Sequence, residues 1–212
     1  MTQRTRVKIC GITDPQSAEA VISAGADAMG MVFYPASPRH LSLENARDIA
    51  AVAHPFVSLV GLFVDASRED IDRVLEHVPL QLIQFHGNET PEFCEAVGLP
   101  YVKALRVQSH AGLMEKMNEY QQAQAILLDT YKKGVPGGTG ETFDWALVPE
   151  SAQKIILAGG LHPENIGRAI HQVKPYAVDT SGGVESAPGV KDTDRIRAFT
   201  KQVASADKQI YG

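Results

Sequence analysis

A single α/β domain closed as a (β/α)8 barrel is what the sequence predicts, on three observations. Short apolar runs alternate with amphipathic, helix-like segments along the whole chain. The alternation yields eight strand-like runs with a repeat of roughly 25 residues, comparable to one minimal βα unit. No low-complexity stretch or shift of composition divides residues 1–212. Regular β-α alternation implies parallel strands with right-handed crossovers. Eight such units close into a barrel, whereas an open doubly wound sheet usually has about five or six strands.

The elements follow in order. Val7–Cys10 is the first strand, and Gly11 ends it. Asp14 before Pro15 sets a cap ahead of a proline at the first helical position. Ala18, Val21, Ile22 and Gly25 then recur at i, i+3, i+4 and i+7, one apolar stripe. Ala28–Phe33 is the second strand, followed by the loop YPASPRH. Val57–Val64 is the third. Ser67 and Asp70 after it are spaced like a capping box, before the stripe Ile71, Val74, Leu75 and Val78. Leu80–Phe85 is the fourth, with Thr90–Pro91 opening the next helix. Tyr101–Leu105 is the fifth, and a more polar helical segment runs from Ser109 to Gln124. Ala125–Leu128 is the sixth, with the long loop YKKGVPGGTGETFDW and a short helical segment from Asp144 to Pro149. Lys154–Ala158 is the seventh, followed by the stripe Ile166, Ala169, Ile170 and Val173. Ala177–Asp179 is the eighth.

Hydrophobic content of 44% and charged content of 21% are ordinary for a soluble globular chain. A net charge of −5 argues against a nucleic-acid or membrane-surface binder, which usually carries a basic excess. An anion would need a local site. The polar start MTQRTRVKIC lacks a long apolar segment, and two cysteines without metal-type spacing fit a reducing, cytoplasmic setting. A disulfide between Cys10 and Cys94 is open from sequence, but nothing asks for one.

In such a barrel the catalytic groups stand at the C-terminal ends of the strands. Gly159–Gly160 and Ser181–Gly182–Gly183 end the last two strands. Small residues there let backbone N–H groups approach an anion, and the loops after strands 7 and 8 are a common phosphate site. A barrel of phosphate-binding type is therefore expected, with Gly159–Gly160 and Ser181–Gly182–Gly183 as its turns toward an anion. Arg39, in a loop stiffened by Pro35 and Pro38, suits a bidentate carboxylate contact; a solvated surface Arg is the plainer alternative. Asp129 and Asp179 each end an apolar strand, where a carboxylate is costly unless paired or used. Asp129 is expected across the mouth from Cys10. Gln84 and His86 share a face of strand 4. His86 is either an acid or base, or a neutral polar contact. No His/Cys/Asp/Glu set has metal-ligand spacing.

Seven segments carry a resemblance: KICGIT at 8–13, FYPASPRH at 33–40, QFHG at 84–87, LLDT at 127–130, GGTGETFDW at 137–145, LAGGLHPENI at 157–166 and VDTSGGVE at 178–185. In this order they resemble the phosphoribosylanthranilate isomerase family over nearly the whole chain. The resemblance implies an Amadori rearrangement of N-(5-phosphoribosyl)anthranilate to 1-(2-carboxyphenylamino)-1-deoxyribulose 5-phosphate, the third committed step of tryptophan biosynthesis. It implies no cofactor and no metal. It implies Cys10 as general base, Asp129 as general acid and Arg39 on the anthranilate carboxylate. The phosphate goes to Gly159, Gly160, Ser181 and Gly182, and Gln84, His86 and Asp179 are substrate-binding candidates. Asp129 would have to act protonated, with its pKa raised by burial. A modest depression would help Cys10, and Lys8, two residues back on the same face, is the cation placed to supply it.

Two positions depart from the family pattern. Glu141 stands where a Lys or Arg often follows the glycine motif, with Lys132 and Lys133 as possible substitutes. The last loop reads SGG rather than SSG or NSG, which keeps backbone donors but removes a side-chain donor. Other readings are an indole-glycerol-phosphate synthase or sugar-phosphate epimerase, or a non-catalytic phosphosugar-binding barrel. The synthase needs a lysine at a strand end, and Lys103 is interior to strand 5. The expected partner is a small phosphorylated substrate, with no nucleic acid and no membrane, and a monomer is expected rather than a homodimer.

Overall fold

The computed structural model describes residues 4–130 and 142–212. Lys132, Lys133, Glu141 and the GGTG motif, and with them the expected basic contact from that loop, lie outside the described residues. Eight parallel strands form a closed ring in sequence order: β1 (Arg6–Cys10), β2 (Ala28–Val32), β3 (Ser58–Phe63), β4 (Leu82–Phe85), β5 (Tyr101–Val107), β6 (Ala125–Thr130), β7 (Ile155–Leu157) and β8 (Ala177–Thr180). The ring is sealed by β1 pairing with β8, Lys8 opposite Asp179. This is the (β/α)8 barrel the alternation predicts. The helices are α1 (Pro15–Ser23), α2 (Leu43–Val52), α3 (Arg68–His77), α4 (Pro91–Ala96), α5 (His110–Glu119), α6 (Ile166–Val173) and α7 (Thr193–Tyr211).

The caps work as the side chains suggest. Asp14, Ser67, Thr90 and Ser109 each accept the N–H three residues on, satisfying one orphan donor per helix. Ser67 also donates its hydroxyl to the Asp70 carboxylate at 2.7 Å, so the box is closed side chain to side chain. The helix expected over 109–124 ends at Glu119, where Tyr120 turns away and its hydroxyl donates to Glu89 O at 2.8 Å. After β6 the segment from Asp144 to Pro149 holds only a 3-10 turn, Trp145–Leu147. After β8 the chain makes a small antiparallel hairpin, β9 (Glu185–Ala187) and β10 (Val190–Lys191), before α7.

Strand alternation builds two cores. The outward rows, such as Ile9, Ile83, Phe85, Ile126, Leu128 and Val178, pack into the helix layer with Ile49, Ile71, Ile170 and Phe199. The inward rows Val102, Ala104, Ala125, Leu127, Ile156 and Ala177 fill the barrel floor. Two residues further along the same rows stand Asp129 and Asp179, and Cys10 joins Val32 and Leu62 in a small cluster near the mouth. The sequence thus runs from an apolar floor to a polar rim. Gly30 faces Cys10 across the β1–β2 register; a Cβ there would come within 2.6 Å of Cys10 Sγ. Glycine is what lets the thiol lie flat against β2.

Lys103 belongs to an outward position, and its ammonium is buried with Glu89 at 2.7 Å, both side chains 2% exposed. Glu89 also accepts the N–H of Asp65 at 2.8 Å and of Gly87 at 3.0 Å, while Lys103 donates to Gly87 O at 2.8 Å. The pair ties the ends of β3 and β4 to the interior of β5 behind His86. Removing one partner of a buried ion pair typically costs about 3–5 kcal/mol. Lys103→Met should therefore lower stability by about that amount in equilibrium urea unfolding; a loss below about 1 kcal/mol would show that the pair does not carry this corner.

Candidate active site

One cavity of about 560 Å³ opens at the C-terminal end of the barrel. All ten residues singled out from sequence line it: Cys10, Arg39, Gln84, His86, Asp129, Gly159, Gly160, Asp179, Ser181 and Gly182. They come from β1, β4, β6 and β8 and from the loops after β2, β4, β7 and β8. A larger cleft of about 770 Å³ lies elsewhere, among Arg4, Lys154 and Tyr176, and holds none of the ten. Convergent polar groups, not volume, mark the first as the site.

Cys10 stands at the end of β1, 5% exposed. Lys8, on the same inward row, pairs with Asp179 at 2.9 Å, with both side chains under a tenth exposed. Burial acts to lower Lys8, but Asp179 and Cys10 outweigh it and hold the ammonium above its ordinary value. Burial pushes the Asp179 carboxyl up against the pull of Lys8. The 2.9 Å contact is that of a charged pair. Burial also pushes the Cys10 thiol above its ordinary 9.0. Lys8 and Lys191 draw it down and Asp179 pushes it up, and the balance stays upward. The expected depression by Lys8 therefore has the right sign and is outweighed: desolvation of a thiolate inside the barrel exceeds what a cation already shared with a carboxylate returns.

Asp129 lies within β6, one residue further into strand structure than the apolar run suggests, and is 7% exposed. Its Oδ1 accepts the Thr130 N–H at 2.8 Å, and its Oδ2 meets His86 Nε2 at 3.2 Å. Gln84 Nε2 stands 2.9 Å from His86 Nδ1. With the amide donating to Nδ1, the neutral ring carries its hydrogen on Nε2, toward Asp129. Gln84 thus sets His86, and His86 sets Asp129.

At the other end, Gly159 and Gly160 adopt φ of 79° and 62°. Ser181 precedes a 3-10 turn over Gly182–Val184. Among the described residues, the N–H groups of Gly160, Gly182 and Gly183 have no acceptor within the chain. Backbone donors left unpaired at a cavity wall are a ready anion cradle. The Ser181 hydroxyl accepts from Lys191 Nζ at 3.2 Å, so its own hydrogen remains to donate. Gly11, with φ of 75°, leaves the space a Cβ would take 2.5 Å from the Arg39 Cδ and 2.9 Å from Ser181 Oγ.

Arg39 is not a solvated surface residue. Its Nε and Nη2 donate to Glu185, both at 2.7 Å. Glu185 and Lys191 escaped the sequence reading. The signal was there: Pro188–Gly189 between them marks a tight turn, and the resulting hairpin sets Lys191 opposite Glu185.

Known proteins share both this sequence and this fold. The family model described as N-(5'phosphoribosyl)anthranilate (PRA) isomerase matches residues 7–202. The N-(5'-phosphoribosyl)anthranilate isomerase of Pseudomonas fluorescens SBW25 is 55% identical over 202 residues, covering 95% of this chain and 96% of its own. That of Pseudomonas putida KT2440 is 56% identical over 202 residues, covering 95% and 98%. The crystal structure of phosphoribosyl anthranilate isomerase from Thermotoga maritima superposes with a TM-score of 0.87 at 41% identity, covering 95% of this chain and 99% of that one. Another structure of this isomerase, at TM-score 0.82 and 39% identity, holds reduced 1-(o-carboxyphenylamino)-1-deoxyribulose 5-phosphate and covers 95% and 99%. This chain belongs to the N-(5'-phosphoribosyl)anthranilate isomerase family.

Proposed function

We propose that Cys10 and Asp129 divide the two proton transfers by which this chain isomerises N-(5-phosphoribosyl)anthranilate. The observation that supports the reading is that a buried thiol from β1 and a buried carboxyl from β6 line one cavity between an arginine and a set of unpaired backbone N–H groups. The substrate has a carboxylate at one end and a phosphate at the other. Arg39 takes the carboxylate, and Gly159, Gly160, Ser181 and Gly182 take the phosphate. The reacting furanose is then held over the barrel mouth, with Gln84, His86 and Asp179 around it.

Asp129 gives its proton to the ring oxygen as the C1′–O bond breaks, and the aryl nitrogen lone pair forms an iminium. The C2′ proton is now acidic. Cys10, as thiolate, takes it, and the C2′–H electron pair becomes the C1′=C2′ bond of an enaminol while the iminium is neutralised. The enaminol loses its hydroxyl proton and gains one at C1′, giving the 2′-ketone. A raised thiol pKa makes the thiolate scarce at rest and a stronger base once formed. The iminium beside it stabilises the thiolate when it acts. His86 is the contact that orients Asp129. A phosphosugar-binding barrel without catalysis would need neither Cys10 nor Asp129, and Lys103 is turned to the helix layer, away from any synthase-like role. A one-domain monomer is sufficient, since every residue given a role lies in one chain. The Thermotoga maritima protein is described as dimeric.

Turnover of freshly generated substrate, followed as loss of anthranilate-type fluorescence, tests both roles. Cys10→Ala and Asp129→Asn should each lose at least about two orders of magnitude in kcat while remaining folded. Full activity in either variant would remove that residue from the chemistry. The thiol offers a second check. Alkylation of Cys10 by iodoacetamide, read by peptide mass, should have its pH midpoint above 9.0 in the wild type. Asp179→Asn leaves Lys8 as an uncompensated cation and should move that midpoint down. An unchanged midpoint would show that the Lys8–Asp179 pair does not govern the thiol.

A further inference from the structure

The carboxylate end of the site is not Arg39 alone. A guanidinium has two edges that can hold a carboxylate side by side: Nε with Nη2, and Nη1 with Nη2. Glu185 occupies the first, Oε1 on Nε and Oε2 on Nη2, both at 2.7 Å. Arg39 Nη1 has no acceptor among the described residues. The end-on edge is therefore the one left for a ligand.

Glu185 is itself held. Lys191 Nζ lies 2.6 Å from its Oε1, and the two side chains are 1% and 5% exposed. Arg195 donates to the Glu185 carbonyl at 3.1 Å, fixing the backbone as well. Burial pushes the Glu185 carboxyl up, but Arg39 and Lys191 outweigh it, so it stays ionised. Lys191 also donates to Ser181 O at 3.1 Å and Ser181 Oγ at 3.2 Å. One lysine thus touches both the residue that orients Arg39 and the loop proposed for the phosphate. Two cations share one carboxylate, which leaves one net positive charge toward an anionic ligand.

We infer that Glu185 and Lys191 are positioning residues for the substrate: Glu185 turns the end-on edge of Arg39 to the substrate carboxylate, and Lys191 locks that arrangement to the Ser181 phosphate loop. The inference rests on the reading of Arg39 as the carboxylate ligand. Neither residue touches the reacting atoms. Their loss acts on binding rather than on the chemical step: Glu185 acts on the substrate carboxylate through Arg39, and Lys191 acts on both ends.

The test is steady-state turnover with inhibition by ribose 5-phosphate, which has the phosphate but no carboxylate. Glu185→Gln should raise KM about ten- to a hundredfold, the weight of a hydrogen bond to a charged group. Its kcat should be nearly unchanged, and its inhibition constant for ribose 5-phosphate the same as wild type. The KM effect should vanish when Arg39 is already Ala. Lys191→Met should raise both KM and the inhibition constant. An unchanged or lowered KM in Glu185→Gln, a loss confined to kcat, or additivity with Arg39→Ala would overturn the inference. Where Glu185→Gln does not fold, Glu185→Asp withdraws the carboxylate by one methylene and must raise KM likewise. If Arg39→Ala alone leaves KM unchanged, the underlying assignment of Arg39 fails, and this is read separately.

Discussion

Strand β1 pairs with β8, Lys8 opposite Asp179, and the site depends on that seam. Closing the ring brings the first strand of the chain beside the last. Without it Cys10 would not share a cavity with Asp179, Ser181 and Gly182, which lie some 170 residues away in sequence. The seam carries a buried ion pair at 2.9 Å on its inner face. Burying two charges is costly, and a packed apolar pair would often do as well for stability alone. A charged pair below the Cys10 thiol makes sense for a different reason: it sets a local field that composition does not reveal.

That field is the second theme. The chain carries a net charge of −5, yet its substrate is anionic at both ends. The answer is local. Arg39, Lys8 and Lys191 bring cations to the mouth, each already sharing a carboxylate from β8 or the hairpin behind it. Each is thereby fixed in direction and partly neutralised. The remaining attraction comes from backbone N–H groups, which bring no counter-ion and need no side chain to be held still.

Much of this was legible in the residues. Periodicity and caps placed the helices after β1, β3, β4, β5 and β7, through one-sided apolar stripes or through Asp14, Ser67, Thr90 and Ser109 directly before them, while α2 and α7 had neither a stripe nor a cap singled out. After β6 the short helical segment read over Asp144 to Pro149 is a 3-10 turn at Trp145–Leu147, and six residues were too few to tell the two apart. All ten site candidates met in one cavity because strand ends in a closed parallel barrel have nowhere else to point. What stayed hidden were balances. The Cys10 thiol sums burial against Lys8, Lys191 and Asp179, and only coordinates give those weights. Glu185 and Lys191 read as loop, because a strand of two or three residues has no period to detect.

The central claim is a placement: sugar ring between Cys10 and Asp129, carboxylate at Arg39, phosphate at the glycine loops. A crystal structure of this protein with reduced 1-(o-carboxyphenylamino)-1-deoxyribulose 5-phosphate measures it directly. The account predicts C2′ about 3–3.5 Å from Cys10 Sγ, as a reacting pair requires. It also predicts the carboxylate on the Nη1–Nη2 edge of Arg39 and phosphate oxygens on the N–H groups of Gly160 and Gly182. A ligand bound in the reverse sense, or with C2′ out of reach of Cys10, would contradict it.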